Sequence, residues 1–294
     1  MVRFHHHVSR CLIKFQHLAV LLVLAAPSAR AQASPAQDEP NLSWAGRRIV
    51  TLNGFGDYFT QAADAEAKLV KPDGLSVNIV AVVQRVEGDR IWIKANGAGD
   101  EPVGWVRKSD AILLENAIPY FTSRIQRDSK DWDAFLRRAE AEHALNQREA
   151  AIADYSRAID LHPEESFLFL RRGRMFRIVK DCPRAAADFE ETARLRPQWA
   201  EPYNLAAGVY ADCPDAALRD QAKAIALIEH AMTLSPNPTY LTVLALAYSR
   251  SGNLEKAVAA QRKAVESPEF PPDYKDDAVR QLHEYESALA AQRH

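Results

Sequence analysis

The chain has 294 residues, 47% of them hydrophobic and 26% charged, which suits roughly two ordinary globular domains. Its formal net charge of −2 excludes a general nucleic-acid binder, whose footprint is a strong basic excess. At the N-terminus Arg3, Arg10 and Lys14 precede an unbroken apolar run from Leu18 to Ala26. Ala29-Arg30-Ala31 or Ala31-Gln32-Ala33 then fits a small-residue cleavage site, so residues 1–33 read as a signal peptide. The apolar run is well short of the roughly 20 residues that span a bilayer, and no later run is long enough, so no stable membrane span is expected in the mature chain. Cys11 lies before the apolar run and is not a lipobox cysteine, and His5-His6-His7 falls in the segment to be removed. Cleavage after Ala31 takes away four basic residues and no acidic one, leaving −6. The expected location is periplasmic or extracellular, with residues 34–41 as a flexible spacer.

Residues 42–114 carry short β-type runs. They are Arg48 to Leu52, Val77 to Val86, and Arg90 to Lys94 after a Glu87-Gly88-Asp89 turn. Asn96-Gly97 and Gly99-Asp100 mark a further reversal before Val103 to Arg107. About five short strands in some 70 residues bury their faces most economically in a small closed barrel. Gly104-Trp105-Val106, near the end of this unit, resembles the last strands of bacterial SH3 domains, which implies an SH3-like barrel. Trp92 and Trp105 read as core residues, with ligand stacking as the alternative.

Helical periodicity begins at residue 115. Pro163 and Pro197 stand 34 residues apart, and the same small-and-large template precedes each. Phe135, Ala139, Ala151, Tyr155 and Ala158 form the first copy, and Phe169, Gly173, Phe176, Ala185 and Phe189 the second. Tyr203, Ala207, Ala224 and Ile228 continue it, then Leu241, Ala245, Ala257 and Ala264. Small residues let two helices cross closely, and large ones fill the gap to the next helix. These residues and their spacing resemble the tetratricopeptide repeat (TPR) family, which implies a right-handed helical superhelix over residues 131–269. Glu142 and Gln261 depart from the pattern, and both lie in terminal repeats whose outer face need not be buried. The third repeat carries five extra residues around Asp212-Cys213-Pro214-Asp215, placed in its inner turn.

Ala117-Ile118-Pro119-Tyr120-Phe121 lies 34 residues before Ala151 to Tyr155, so residues 115–130 read as a connecting helix in the place of a missing second helix. Residues 270–294 read as a C-terminal capping helix. The predicted class is α+β: an SH3-like barrel followed by an all-α superhelix of about four repeats plus capping helices.

No nucleophile elbow, zinc-protease pair or phosphate-cradling loop is present, and the mature histidines are scattered. No catalytic residue, metal site or cofactor is expected. A hydrolase in the barrel is the least favoured reading, because Asp57, Asp64, Asp89 and Asp100 lack a partner histidine. Cys182 and Cys213 sit on one edge of the array. Helix axes about 10 Å apart against a Cα limit of about 7 Å favour free thiols over a disulfide.

The resemblance implies a concave binding face lined by the second, fifth, ninth and twelfth positions of each first helix. Carried onto this chain, those positions include Leu136, Glu140 and His143, then Phe167, Leu170, Arg174 and Arg177, then Asn204, with Arg171 beside the second set. Three arginines with two apolar anchors suit an acidic or carboxylate-bearing protein or peptide, and Asn204 suits its backbone. The expected function is a non-catalytic exported scaffold. The alternative is cell-wall glycan binding by the barrel, with the array as an assembly surface.

Overall fold

The computed structural model describes residues 43–52, 58–59, 69–70, 80–95 and 103–293, all within one compact unit, Glu39–His294. The predicted signal peptide and spacer, residues 77–79 and the Asn96 to Asp100 reversal lie outside the described residues.

Among the described residues seven strands form one antiparallel sheet: β1 (Arg48–Thr51), β2 (Tyr58–Phe59), β3 (Leu69–Val70), β4 (Val80–Glu87), β5 (Arg90–Ala95), β6 (Val103–Arg107) and β7 (Ala111–Leu113). Their order is β3-β2-β6-β5-β4-β1-β7, and no described pairing joins β3 to β7. The expected closed barrel of five strands is therefore corrected to an open sheet of seven. The reason lies in what covers each face and edge. Ile49, Ala81, Val83, Ile91, Ile93 and Val106 pack together on one face. Val50, Leu52, Val80 and Ile112 alternate to the other face and enter the core of the helices. The chain runs from β7 directly into α1 (Leu114–Arg127), which packs against both β1 and β7. Covering an edge with a helix protects it as closure does. Trp105 is buried and Trp92 half-buried, edge to face at 5.4 Å, with the Arg85 guanidinium over both rings.

Nine described helices follow α1: α2 (Trp132–Ala144), α3 (Arg148–Leu161), α4 (Ser166–Ile178), α5 (Cys182–Leu195), α6 (Ala200–Asp212), α7 (Gln221–Leu234), α8 (Tyr240–Arg250), α9 (Leu254–Glu266) and α10 (Lys275–Gln292). They pack as four hairpins, α2/α3, α4/α5, α6/α7 and α8/α9, and α10 lies on α9. Trp132, Ser166 and Ala200 open successive first helices at the 34-residue interval. Asp131, Asp181, Asp220 and Asn253 cap α2, α5, α7 and α9 with their side chains. The inner turns of the first and second hairpins each hold one residue in the left-handed region, Asn146 (φ 64°) and Lys180 (φ 63°). Where α4 crosses α5, a Cβ on Gly173 would stand 2.8 Å from Phe189 Cε1, so only glycine fits without moving that ring.

An ionic clamp repeats at the same interval. The Arg138 guanidinium donates to both Asp154 oxygens (2.6 and 2.8 Å) and to Thr122 Oγ1 on α1 (2.9 Å). Thirty-four residues on, Arg172 donates to both Asp188 oxygens (2.9 and 2.8 Å) and to Ser156 Oγ on α3 (3.0 Å). Thus α1 stands to α2 as α3 stands to α4. The sheet is held to this frame by Arg137, buried beneath it, which donates to the Thr51 carbonyl and to Thr51 Oγ1 (3.0 Å).

The readings of Glu142 and Gln261 as residues of an unburied face are corrected, because both are buried. Gln261 donates to the Ala278 carbonyl at 2.8 Å, joining α9 to α10, so the capping helix covers what a terminal repeat would expose. Burial, and then the charge of Asp154, push the Glu142 pKa up to about 7, with Arg138 partly offsetting. Between the ordinary glutamate value and about 7 the folded chain binds more protons than the unfolded one, so Glu142 lowers stability as pH rises through that window. Glu142→Gln is expected to stabilise the chain at pH 8 by on the order of 2 kcal/mol and to change little near pH 4. Urea unfolding at the two pH values checks it, and an equal effect at both would refute this assignment.

The expectation of free thiols is also corrected: Cys182 and Cys213 form a disulfide, with Cα atoms 6.0 Å apart. The axis spacing was the wrong length to compare. Each Cα lies about 2.3 Å off its helix axis, so facing Cα atoms on helices about 10 Å apart come within bonding range.

Candidate functional site

The first helices α2, α4 and α6 place their second, fifth, ninth and twelfth residues along one side, but neighbouring helices decide what each side chain can do. Leu136 and Leu170 are each 3% exposed and Phe167 is also buried, so these three serve mainly as core. Trp132 lies against the Phe167 ring at 6.1 Å. Glu140, 3% exposed, accepts from Tyr155 Oη at 2.5 Å and pairs with Arg171 Nη1 at 3.0 Å. Burial, and next the Glu140 charge, hold the Tyr155 pKa well above the usual tyrosine value. Arg174 is paired with Glu201 on α6. His143 is exposed at the end of α2.

Arg177 and Asn204 are placed differently. They line a cavity of about 710 Å³ together with Thr239 and Val243 near the start of α8, Phe270 before α10, and Glu284 on α10. Among the described residues Arg177 has no ion-pair partner. Desolvation lowers its pKa, the adjacent Arg174 adds to this, and Glu201 partly offsets it. Asn204 Oδ1 is buried and accepts no hydrogen bond. Arg177 and Asn204 both line the cavity, and the cation can bind a carboxylate there, but the two include no nucleophile–base pair.

The nine predicted positions therefore divide: Arg177 and Asn204 meet at the cavity, Glu140, Arg171 and Arg174 are engaged with other protein groups, Leu136, Phe167 and Leu170 are buried, and His143 stands apart. Sequence reasoning missed the cavity's far wall. Thr239 and Thr242, which also line the cavity, follow from extending the repeat register to the fourth hairpin. Glu284 and Phe270 lie outside the repeats and had no such signal. The paired arginines and aspartates of the clamp, 34 residues apart, were visible in the sequence and were also missed. Among the described residues no group of three His, Cys, Asp or Glu could hold a metal ion, and no helix is long and apolar enough to cross a membrane.

Stacked helical hairpins with a 34-residue repeat define a helical-repeat protein. More particularly, the tetratricopeptide repeat family model matches residues 133–165 and 238–269, so the chain carries TPR repeats. Among solved structures, MamA (residues 41 to the end) from Desulfovibrio magneticus RS-1 is 20% identical with TM-score 0.47, covering 52% of this chain and 84% of that one. TTC0263, a thermophilic TPR protein of Thermus thermophilus, is 20% identical with TM-score 0.44, covering 60% of this chain and 91% of that one. No curated protein matches the chain in sequence.

Proposed function

We propose that this chain is a non-catalytic exported scaffold that binds an acidic protein or peptide segment on the concave side of its TPR array. The observation that carries the reading is the cavity where Arg177, without an ion-pair partner among the described residues, meets the unsatisfied Asn204 Oδ1. Buried polar groups are ordinarily satisfied, so an orphan acceptor and a partly desolvated cation among the residues lining one cavity suit a ligand that supplies both a donor and a carboxylate. Export is supported by the basic and apolar N-terminus, and by the Cys182–Cys213 bridge, which belongs in an oxidising compartment.

The test is affinity capture from the periplasm with wild type and with an Arg177→Glu, Asn204→Ala variant. The variant should keep its helical circular dichroism and lose partner binding at least tenfold, and wild-type binding should weaken with salt. Equal capture by both would refute the groove reading. Binding of the whole chain to insoluble cell wall, kept by this variant and lost in Trp92→Ala, would instead favour the sheet as the binding element. Mass spectrometry of the recovered N-terminus tests export, and an intact Met1 would overturn it.

A further inference from the structure

The cavity between α4, α6, α8 and α10 carries opposite charges on different walls. Arg177 projects from α4, and Glu284 stands exposed on α10. Among the described residues neither has an ion-pair partner, whereas the charges beside them are engaged, Arg174 with Glu201 and Arg280 with Asp277. Apolar Val243 and Phe270 also line the cavity, as does Asn204, whose buried Oδ1 has no donor. A uniformly acidic ligand would satisfy Arg177 but would set its remaining charge against Glu284. An opposite pair left unneutralised across a shared cavity matches a ligand that brings both signs.

We propose that this cavity receives an extended peptide segment of mixed charge, in which an acidic residue and a basic residue flank an apolar one. The acidic side chain pairs with Arg177, a backbone N–H donates to Asn204 Oδ1, the apolar side chain rests on Val243 and Phe270, and the basic side chain pairs with Glu284. The C-terminal helix α10 then does more than cap the array, since it supplies the wall that reads the basic residue. This inference rests on the groove reading above and narrows its partner.

The experiment titrates the full mature chain, disulfide intact, into fluorescein-labelled ten-residue peptides followed by fluorescence anisotropy. One set carries a Glu and a Lys separated by one to five residues that include a Leu. The controls carry the Glu alone, the Lys alone, or neither. The expected result is that at least one mixed-charge spacing binds about tenfold tighter than every control, and that this gain falls with salt. Glu284→Gln should remove the gain from Lys and leave the Glu-only peptide unchanged, and Glu284→Lys should shift the preference toward Glu-only peptides. Arg177→Ala should remove the gain from Glu, and Arg177→Lys should restore part of it. The melting temperature of each variant shows that it remains folded.

Mixed-charge peptides that bind no tighter than the controls, or a Glu284→Gln chain that keeps the full gain, would overturn the inference. The groove reading would still stand if Arg177→Ala or Asn204→Ala weakened any peptide. If no peptide bound up to about 1 mM, or if none depended on Arg177, Asn204 or Glu284, the inference and the peptide form of the groove reading would fall together.

Discussion

Phe121→Ala is expected to destabilise the chain by on the order of 3 kcal/mol, the usual cost of emptying a fully buried phenylalanine site. Phe121 has no exposed surface and lies in the core that α1 shares with Val50, Ile112, Phe135 and Tyr155. Its ring meets Tyr120 edge to face at 5.1 Å, and the Arg124 guanidinium lies 5.7 Å from its centroid. Arg124 in turn donates to both Asp131 oxygens, at 2.9 and 3.0 Å, so the cavity would open beside the joint between α1 and α2. Because this core includes residues of both the sheet and the first hairpin, the loss should lower the urea midpoint seen by near-ultraviolet and by helical circular dichroism alike. A change within about 0.5 kcal/mol would mean that α1 is a free linker.

Removing the disulfide is expected to cost a similar amount. The two cysteines are 31 residues apart, and loop-closure entropy for that separation corresponds to roughly 3–4 kcal/mol. The bridge ties the first turn of α5 to the end of α6, and a long connection to α7 starts there. Arg219 Nε donates to the Cys213 carbonyl at 2.6 Å, and Gln221 Nε2 donates to the Ala211 carbonyl at 3.2 Å, so the same edge anchors that connection. The Cys182→Ala, Cys213→Ala variant should therefore unfold at a lower urea concentration and exchange the amides of residues 213–220 faster. Two thiols titrating in the native, unreduced protein would refute the bridge. Both sulfurs belong to buried residues, so reductant should act on the native chain slowly and on the unfolded chain quickly.

Much of the array was legible in the sequence because its information is local. Helix lengths, the small residues at crossings such as Ala139, Gly173 and Ala207, and the 34-residue interval all recur within a single hairpin. The same register placed Arg177 and Asn204 on the groove side. It could not tell them from Arg171 and Arg174, because Glu140 and Glu201, which engage those two, come from neighbouring hairpins. Whether a side chain on a repeat helix is free depends on the superhelical angle, which brings residues about 30 positions apart into contact.

The sheet shows the same limit. Its alternating runs are compatible with a closed barrel or an open sheet, and the strand pairing decides, since no described pairing joins the edge strands β3 and β7. Glu142 and Gln261 were legible as departures from the repeat pattern, but their burial depended on the elements packed over them. The far wall of the cavity comes from α10, which follows no repeat and so left no periodic trace. Sequence periodicity by itself determined the repeat, its helices and one wall of the site. Tertiary packing alone decided which charges are already neutralised, which sheet face is covered and what closes the groove, because each depends on contacts between segments that share no local pattern.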